Sequence, residues 1–232
     1  MPLYQLHEDH IGFPPINEAL DEPAGLLAVG GDLSVDRLLN AYASGIFPWY
    51  SDGESILWWA PMPRMVLVPS QVHVSRSMAK LMRQQSYQIT FDQAFDRVIE
   101  LCASTPRPGQ DDEQATWILP EMQDAYRHLN RAGYAHSIEI WDQANLVGGL
   151  YGVAIGKMFF GESMFSLRSN VSKLAFIALS RLLEQWQFEL IDCQLPTDHL
   201  TSLGARSIEI AEFQQYLCNN EQYGMGSNWD LV

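Results

Sequence analysis

Between Gly148 and Lys173 the chain reads GGLYGVAIGKMFFGESMFSLRSNVSK, and about twenty residues later an apolar run ends in Ile191-Asp-Cys-Gln194. Glycines, aromatics and methionines crowd around one acid, Glu162. A second acid, Asp192, stands two residues before Gln194. A carboxylate left without partners among such side chains is costly. An ordinary core strand also has little use for so many glycines. The stretch therefore predicts an apolar pocket with a few placed polar groups, the usual form of a small-ligand site.

Composition limits what surrounds that pocket. The chain has 232 residues, 47% of them hydrophobic and 18% charged, which suits one large domain or two unequal ones with a full core. No apolar run has the length of a membrane helix. The opening MPLYQLHEDHIGFPP has neither the basic nor the apolar region of a signal peptide. Cys102, Cys193 and Cys218 form no CxxC pair, which fits reduced thiols in a cytoplasmic protein. The net charge of −14 argues against a polyanionic partner, but its distribution does not. Residues 55–91 contain Arg64, Arg76, Lys80 and Arg83 and no acid, and residues 163–183 contain Arg168, Lys173 and Arg181 and no acid. These windows read either as chance clusters on solvated helix faces or as a local phosphate-binding face.

The periodicities predict a mixed α/β, or α+β, protein. Ser34 caps a short helix reaching Tyr42, and Gly45 ends it. Phe13-Pro-Pro15, Gly30-Gly-Asp32 and Phe47-Pro-Trp49 mark turns. A boundary near Arg64 divides a small N-terminal domain, 1–64, from a larger one, 65–232. After it come a strand from Met65 to Val68, a helix opening near Ser75 and a strand from Tyr87 to Phe91. A helix over 91–103 places Phe95, Val98, Ile99 and Cys102 on one side, and residues 104–115 form an exposed loop. A helix from Pro120 to Ala132 precedes a hairpin of 135–141 with 146–155. Lys157 to Phe160 continues the sheet, a long apolar helix covers 172–187, and a buried strand spans 188–193.

Several chemistries drop out. The sequence has no GxSxG elbow, no P-loop and no GxGxxG in a strand-to-helix turn. The histidines lack metal-ligand spacing, so no metal is expected. His73, His136 and His199 read as structural.

The segments AGLLAVGGDLS (24–34), GIFPWY (45–50), LWWAPMPR (57–64), HVSRS (73–77), TWI (116–118), AHSIEIW (135–141), LVGGLYG (146–152), FFGESMFS (159–166), NVSK (170–173), IDCQ (191–194) and DHLTSLGA (198–205) stand in order. Together they resemble the leucyl/phenylalanyl-tRNA–protein transferases, over nearly the whole chain. The resemblance implies transfer of leucine or phenylalanine, less often methionine, from charged tRNA to a protein beginning with Arg or Lys. The product carries an N-terminal degradation signal. It further implies no metal or other cofactor, and a C-terminal domain resembling the N-acetyltransferases. No Arg/Gln-x-x-Gly-x-Gly loop for coenzyme A is present, and a shared scaffold need not mean a shared donor. The alternatives are a tRNA-dependent cell-wall precursor aminoacyltransferase and a non-catalytic binder of basic protein N-termini.

The same resemblance assigns residues. Asp192 and Gln194 correspond to a relay in which Asp192 polarises the Gln194 side chain, and Glu162 to a group that orients substrate. From the residues alone, Asp192 equally suits capping a strand end, and Glu162 a buried acid held by backbone N–H groups. Gly161 would admit close approach of a ligand. Leu150, Phe159, Met164, Leu179 and Leu183 fall at the positions of the aminoacyl pocket. The family pattern has Phe where this chain has Leu179 and Leu183, which widens the pocket. Trp49 and Trp117 correspond to aromatics that hold the terminal adenosine of tRNA, a task suited to stacking. Arg76, Lys80 and Arg83, at i, i+4 and i+7 of one helix, correspond to contacts with tRNA phosphates.

Overall fold

The computed structural model describes residues 3–7, 9–106, 118–226 and 229. The N-terminal region supplies β1 (Tyr4–Leu6), β2 (Leu26–Gly30), α1 (Val35–Ala43), β3 (Phe47–Pro48) and β4 (Leu57–Trp59). Their four strands form one sheet in the order β1-β2-β4-β3. Ser34 caps α1 as expected, its hydroxyl accepting from the Arg37 N–H at 3.4 Å. Arg37 itself is fully buried, and its guanidinium binds Asp32 and the carbonyls of His7 and His10. These contacts pin the leading loop to α1, because a buried cation needs its donors satisfied.

The larger part begins with β5 (Arg64–Leu67), α2 (Arg76–Gln84), β6 (Gln88–Phe91) and α3 (Phe95–Ser104). It continues through α4 (Pro120–Arg131), β7 (Ala135–Asp142), β8 (Asn145–Ile155), β9 (Met158–Ser166) and α5 (Val171–Gln185). The chain then forms β10 (Leu190–Gln194), α6 (Asp198–Thr201), β11 (Arg206–Ile208) and α7 (Ile210–Asn220). Seven strands lie in the order β11-β5-β10-β9-β8-β7-β6. Every neighbouring pair in this sheet is antiparallel except β9 with β10. The fold is mixed α/β, as the periodicity predicts.

Each face of this sheet has its own core. On one face, Tyr151, Val153, Phe160, Phe165 and Leu190 pack with α1, α3, α4, α7 and the small sheet. On the other, Leu150, Ala154, Phe159 and Ile191 pack with α5 and the buried side of α2. The first core is continuous from Leu6 to Leu217, so both sheets share one apolar interior. Trp229 lies on the second face, its ring stacked 4.0 Å from that of His136.

Two differences from the sequence reading matter. The strand expected to stop at Phe160 continues to Ser166, carrying Glu162 within it. It can do so because of a bulge. Tyr151 pairs with Ser163 and Gly152 with Gly161, leaving Glu162 without a partner residue on β8. A bulge turns a side chain out of the strand's alternation and resets the alternation downstream of it. Here Phe159 and Met164 both belong to the α5 face, while Phe160 and Phe165 belong to the other. The second difference concerns Arg64, which the acid-free window leaves open between a solvated helix face and a phosphate-binding face. It is 1% exposed and opens β5, where its charge meets a buried partner.

The glycines also divide. A Cβ at Gly152 would lie 2.3 Å from the Phe160 carbonyl oxygen and 2.6 Å from the Phe159 ring, and one at Gly148 would meet Val171 at 2.5 Å. At Gly161 the nearest neighbour, the Asp192 carbonyl oxygen, is 3.5 Å away. Packing therefore demands glycine at 148 and 152 but not at 161. Gly152→Ala should lower stability by about 1–3 kcal/mol, whereas Gly161→Ala should leave the urea midpoint nearly unchanged. Equal losses in the two variants would refute this division.

Candidate active site

The parallel strands β9 and β10 are paired over three residues only, ending at Phe160 opposite Asp192. Beyond that point β9 follows β8 and β10 follows β5. The β10–β5 ladder shifts register between Asp192 and Gln194, and Gln194 has φ 63°. Two irregular strands thus part at one level and open a wedge in the middle of the sheet. Glu162 lines one side and Gln194 the other. The Gln194 Nε2 donates to the Glu162 Oε1 at 2.8 Å and bridges the gap.

Below the bridge lies Asp192, which is fully buried. Arg64 grips it bidentately, Nε to Oδ1 at 2.8 Å and Nη2 to Oδ2 at 2.7 Å. Nη2 also donates to the Gly45 carbonyl at 3.0 Å. Among the described residues Nη1 has no hydrogen-bond partner, and the cation lies against the rings of Phe47 and Phe213, 5.0 and 4.8 Å from their centroids. The Asp192 Oδ1 also accepts from the Gln194 backbone N–H at 2.9 Å. Asp192 holds the backbone of Gln194 in its left-handed turn, while the Gln194 side chain is bound by Glu162.

Glu162 is partly exposed. Its Oε2 accepts from the Tyr126 hydroxyl at 2.7 Å, and that hydroxyl is joined by a short hydrogen bond to the hydroxyl of Tyr42. Burial pushes the Glu162 carboxyl up from its ordinary value near 4.5 to about 7. Hydrogen bonds from Tyr126, Tyr42 and Gln194 oppose the rise, and the Asp192 charge adds to it. Burial, with the Glu162 charge second, holds both tyrosines well above the ordinary phenol range, so they remain donors. Burial likewise raises the Cys193 thiol, which keeps it protonated and unreactive.

The five candidate pocket residues meet on the opposite, α5 face. Leu150 and Met164 are register partners on β8 and β9, and Phe159, Leu179 and Leu183 complete the cluster. Leu150, Phe159, Leu179 and Leu183 are at most 3% exposed, whereas Met164 is partly exposed. Trp49 follows β3 and is 41% exposed, with its ring 5.6 Å from that of Trp59. Trp117 lies outside the described residues. Arg76, Lys80 and Arg83 are exposed along α2, and none makes an ion pair among the described residues. A groove of about 350 Å³ beside them is lined by Leu81, Met82, Tyr87, Leu174 and Arg181, among others. Among the described residues no cluster of His, Cys, Asp and Glu could hold a metal ion, and no helix is long and apolar enough to cross a membrane.

The sequence reading missed Arg64, Tyr42 and Tyr126 as site residues. For Arg64 a signal existed: a charge opening the apolar run RMVLV requires a buried counter-charge, and Asp192 in LIDCQ is the matching one. No such signal marks the tyrosines, which sit on helix faces like any core aromatic.

A family model described as leucyl/phenylalanyl-tRNA protein transferase matches residues 66–218, and the model of its N-terminal domain matches 31–62. The chain belongs to that family. A leucyl/phenylalanyl-tRNA–protein transferase of Pseudomonas fluorescens Pf0-1 is 54% identical over 224 residues, covering 97% of each chain. One from Azotobacter vinelandii matches equally, and one from P. fluorescens Pf-5 is 57% identical over 212 residues, or 91% of this chain and 92% of its own. Leucyl/phenylalanyl-tRNA–protein transferases are aminoacyltransferases, so the chain is an enzyme. Likenesses to solved structures are slight. A conserved protein of unknown function from Bacteroides thetaiotaomicron has a TM-score of 0.44 at 10% identity, covering 91% of this chain and 69% of its own. AAC(6')-Iy with a bisubstrate analog has 0.30 at 13%, covering 63% and 95%. Neither score supports an argument from scaffold.

The ion pair and Glu162 each set a measurable stability. Arg64→Met should cost about 3–5 kcal/mol by leaving Asp192 buried and alone. Adding Asp192→Leu to that variant should recover part of the loss in urea melts; additive losses would show that the pair is not coupled. Glu162 binds a proton more tightly folded than unfolded. Its stabilising effect is thus complete below about pH 4.5 and lost as pH rises through about 7. Glu162→Gln, which cannot ionise, should gain on the natural chain by on the order of 2–3 kcal/mol between pH 5 and pH 8. A pH-independent difference would contradict the raised affinity.

Proposed function

We propose that this chain transfers leucine or phenylalanine, and less often methionine, from Leu-tRNA or Phe-tRNA to proteins beginning with Arg or Lys. The reaction makes a peptide bond, needs no metal or other cofactor, and leaves an N-terminus that marks the product for degradation in the cytoplasm. The observation that carries this reading is the bridge between Glu162 and Gln194 across a wedge, in a chain 54% identical to named transferases over 97% of its length. An aminoacyl ester is already activated. The enzyme must hold an amine against its carbonyl and manage one proton, and positioning alone contributes about 7–11 kcal/mol in favourable cases.

The site divides the work. Asp192, Gln194 and Glu162 handle charge and orientation at the new bond. Leu150, Phe159, Met164, Leu179 and Leu183 form the wall against the aminoacyl side chain, with Gly161 leaving room at the wedge. Methylene-scale discrimination in such a pocket is worth only about 1–3 kcal/mol, so more than one amino acid is accepted. Trp49, with Trp117, stacks on the terminal adenosine. Arg76, Lys80 and Arg83 bind backbone phosphates, which position tRNA without reading its sequence. Residues 1–64 carry Trp49 and Tyr42, and residues 65–232 carry the wedge.

Labelled Leu-tRNA and Phe-tRNA, incubated with peptides beginning with Arg, Lys or Ala, should transfer label to the first two only. Transfer to none of them overturns the reading. Asp192→Ala and Glu162→Ala should lower turnover far more than Lys80→Ala. Lys80→Ala should weaken tRNA binding and reduce its salt slope by about 1. Trp49→Ala should cost roughly 1–3 kcal/mol in tRNA affinity. A full loss of turnover in Lys80→Ala with unchanged binding would contradict the division of roles.

A further inference from the structure

Of the three polar groups at the wedge, only one is built to exchange a proton. Asp192 is fully buried and has both carboxylate oxygens occupied, by the Arg64 Nε and Nη2 and by the Gln194 backbone N–H. Protonating it would strand the Arg64 charge in the core. The Gln194 side chain is a neutral amide, a far weaker base than a carboxylate, and its Nε2 is already committed to Glu162. Glu162 is different. It is partly exposed at the mouth of the wedge, projected by a bulge, and its oxygens accept hydrogen bonds from Tyr126 and Gln194. A carboxylate has about four lone-pair sites, so room remains for a substrate N–H.

Resting on the transferase reading above, we propose that Glu162 takes the proton of the attacking amine, and that Asp192 is a positioning residue acting through Gln194. The neutral amine's lone pair forms the C–N bond to the ester carbonyl carbon. The ester C–O bond breaks, its electron pair leaving on the ribose oxygen. One N–H proton passes to Glu162 and then to that oxygen, so Glu162 returns to carboxylate and no other reactant is needed. The groups facing Glu162 suit this cycle. They are Tyr42 on α1, Tyr126 on α4, and Asp192 and Gln194 on β10, with Tyr151 on β8 packed against the Tyr126 ring and Arg64 on β5 behind Asp192. The Tyr126 hydroxyl and the Gln194 amide donate to the carboxylate and keep it aimed, while burial sets its affinity near neutrality, where a general base works best.

The test is the pH dependence of single-turnover transfer from Phe-tRNA to a peptide beginning with Arg, with peptide subsaturating. Both the peptide amine and Glu162 must be deprotonated, so log rate should rise with slope 2 below about pH 6.5. Glu162→Gln should lose about 10²–10⁴-fold in rate and fall to slope 1, Glu162→Asp should keep slope 2, and Asp192→Asn should be slower with slope 2. Formate should restore part of the rate of Glu162→Ala, which a purely structural role would not allow, and none of the rate of Asp192→Ala. Slope 2 in Glu162→Gln, slope 1 in Asp192→Asn, or formate rescue of Asp192→Ala alone would overturn the assignment. Should Glu162→Gln fail to fold, the formate series and Glu162→Asp decide it. Absence of transfer by the natural chain would overturn the transferase reading instead.

Discussion

The bidentate pair of Arg64 and Asp192 holds the rest of the site in place. It joins β5 to β10 through side chains and reaches Gly45, just past α1, through Nη2. One guanidinium therefore ties the loop after α1 to the level at which β9 and β10 separate. In a low-dielectric interior such a pair does not primarily add stability, because desolvation consumes most of the attraction. What it adds is definition: Asp192 has one orientation, Gln194 has one backbone conformation, and the Gln194 amide has one direction in which to point.

The mixed fold was legible because its elements are long and well punctuated. Ser34 and Ser75 cap their helices where the sequence puts them, and the hairpin of β7 and β8 turns where its pattern breaks. The short strands of the N-terminal sheet were not legible. Phe47–Pro48 and Leu57–Trp59 have too few residues to display alternation, and only pairing with β2 and with each other makes them strands.

At the site, residue types were legible and partnerships were not. Glu162 and Asp192 stand out as acids in apolar runs. That Asp192 belongs to Arg64, 128 positions earlier, depends on the antiparallel register of β5 and β10, which no local pattern encodes. The two tyrosines were invisible for a related reason: a phenol hydroxyl declares itself only when its neighbour is known. The basic windows misled in part, because Arg64 serves the interior and Arg168 pairs with Asp142 at the surface. On α2 there remains a face of three cations, with no ion pair among the described residues to quench them.

The bulge on β9 makes the length of FFGESMF a structural quantity in itself. Phe159 and Met164 are five positions apart and, in an unbroken strand, would point to opposite faces. They share a face only because Glu162 takes up the extra position. The strand therefore has two reading frames joined at the acid. A single deletion between Phe159 and Met164 has two outcomes. With the bulge kept, the downstream frame turns inside out, sending Met164 toward α3 and Phe165 toward α5. With the bulge lost, both frames survive, but the chain no longer has a spare position from which to project a carboxylate. Either the pocket wall or the acid is forfeited, so sequence change at this segment is confined to substitution.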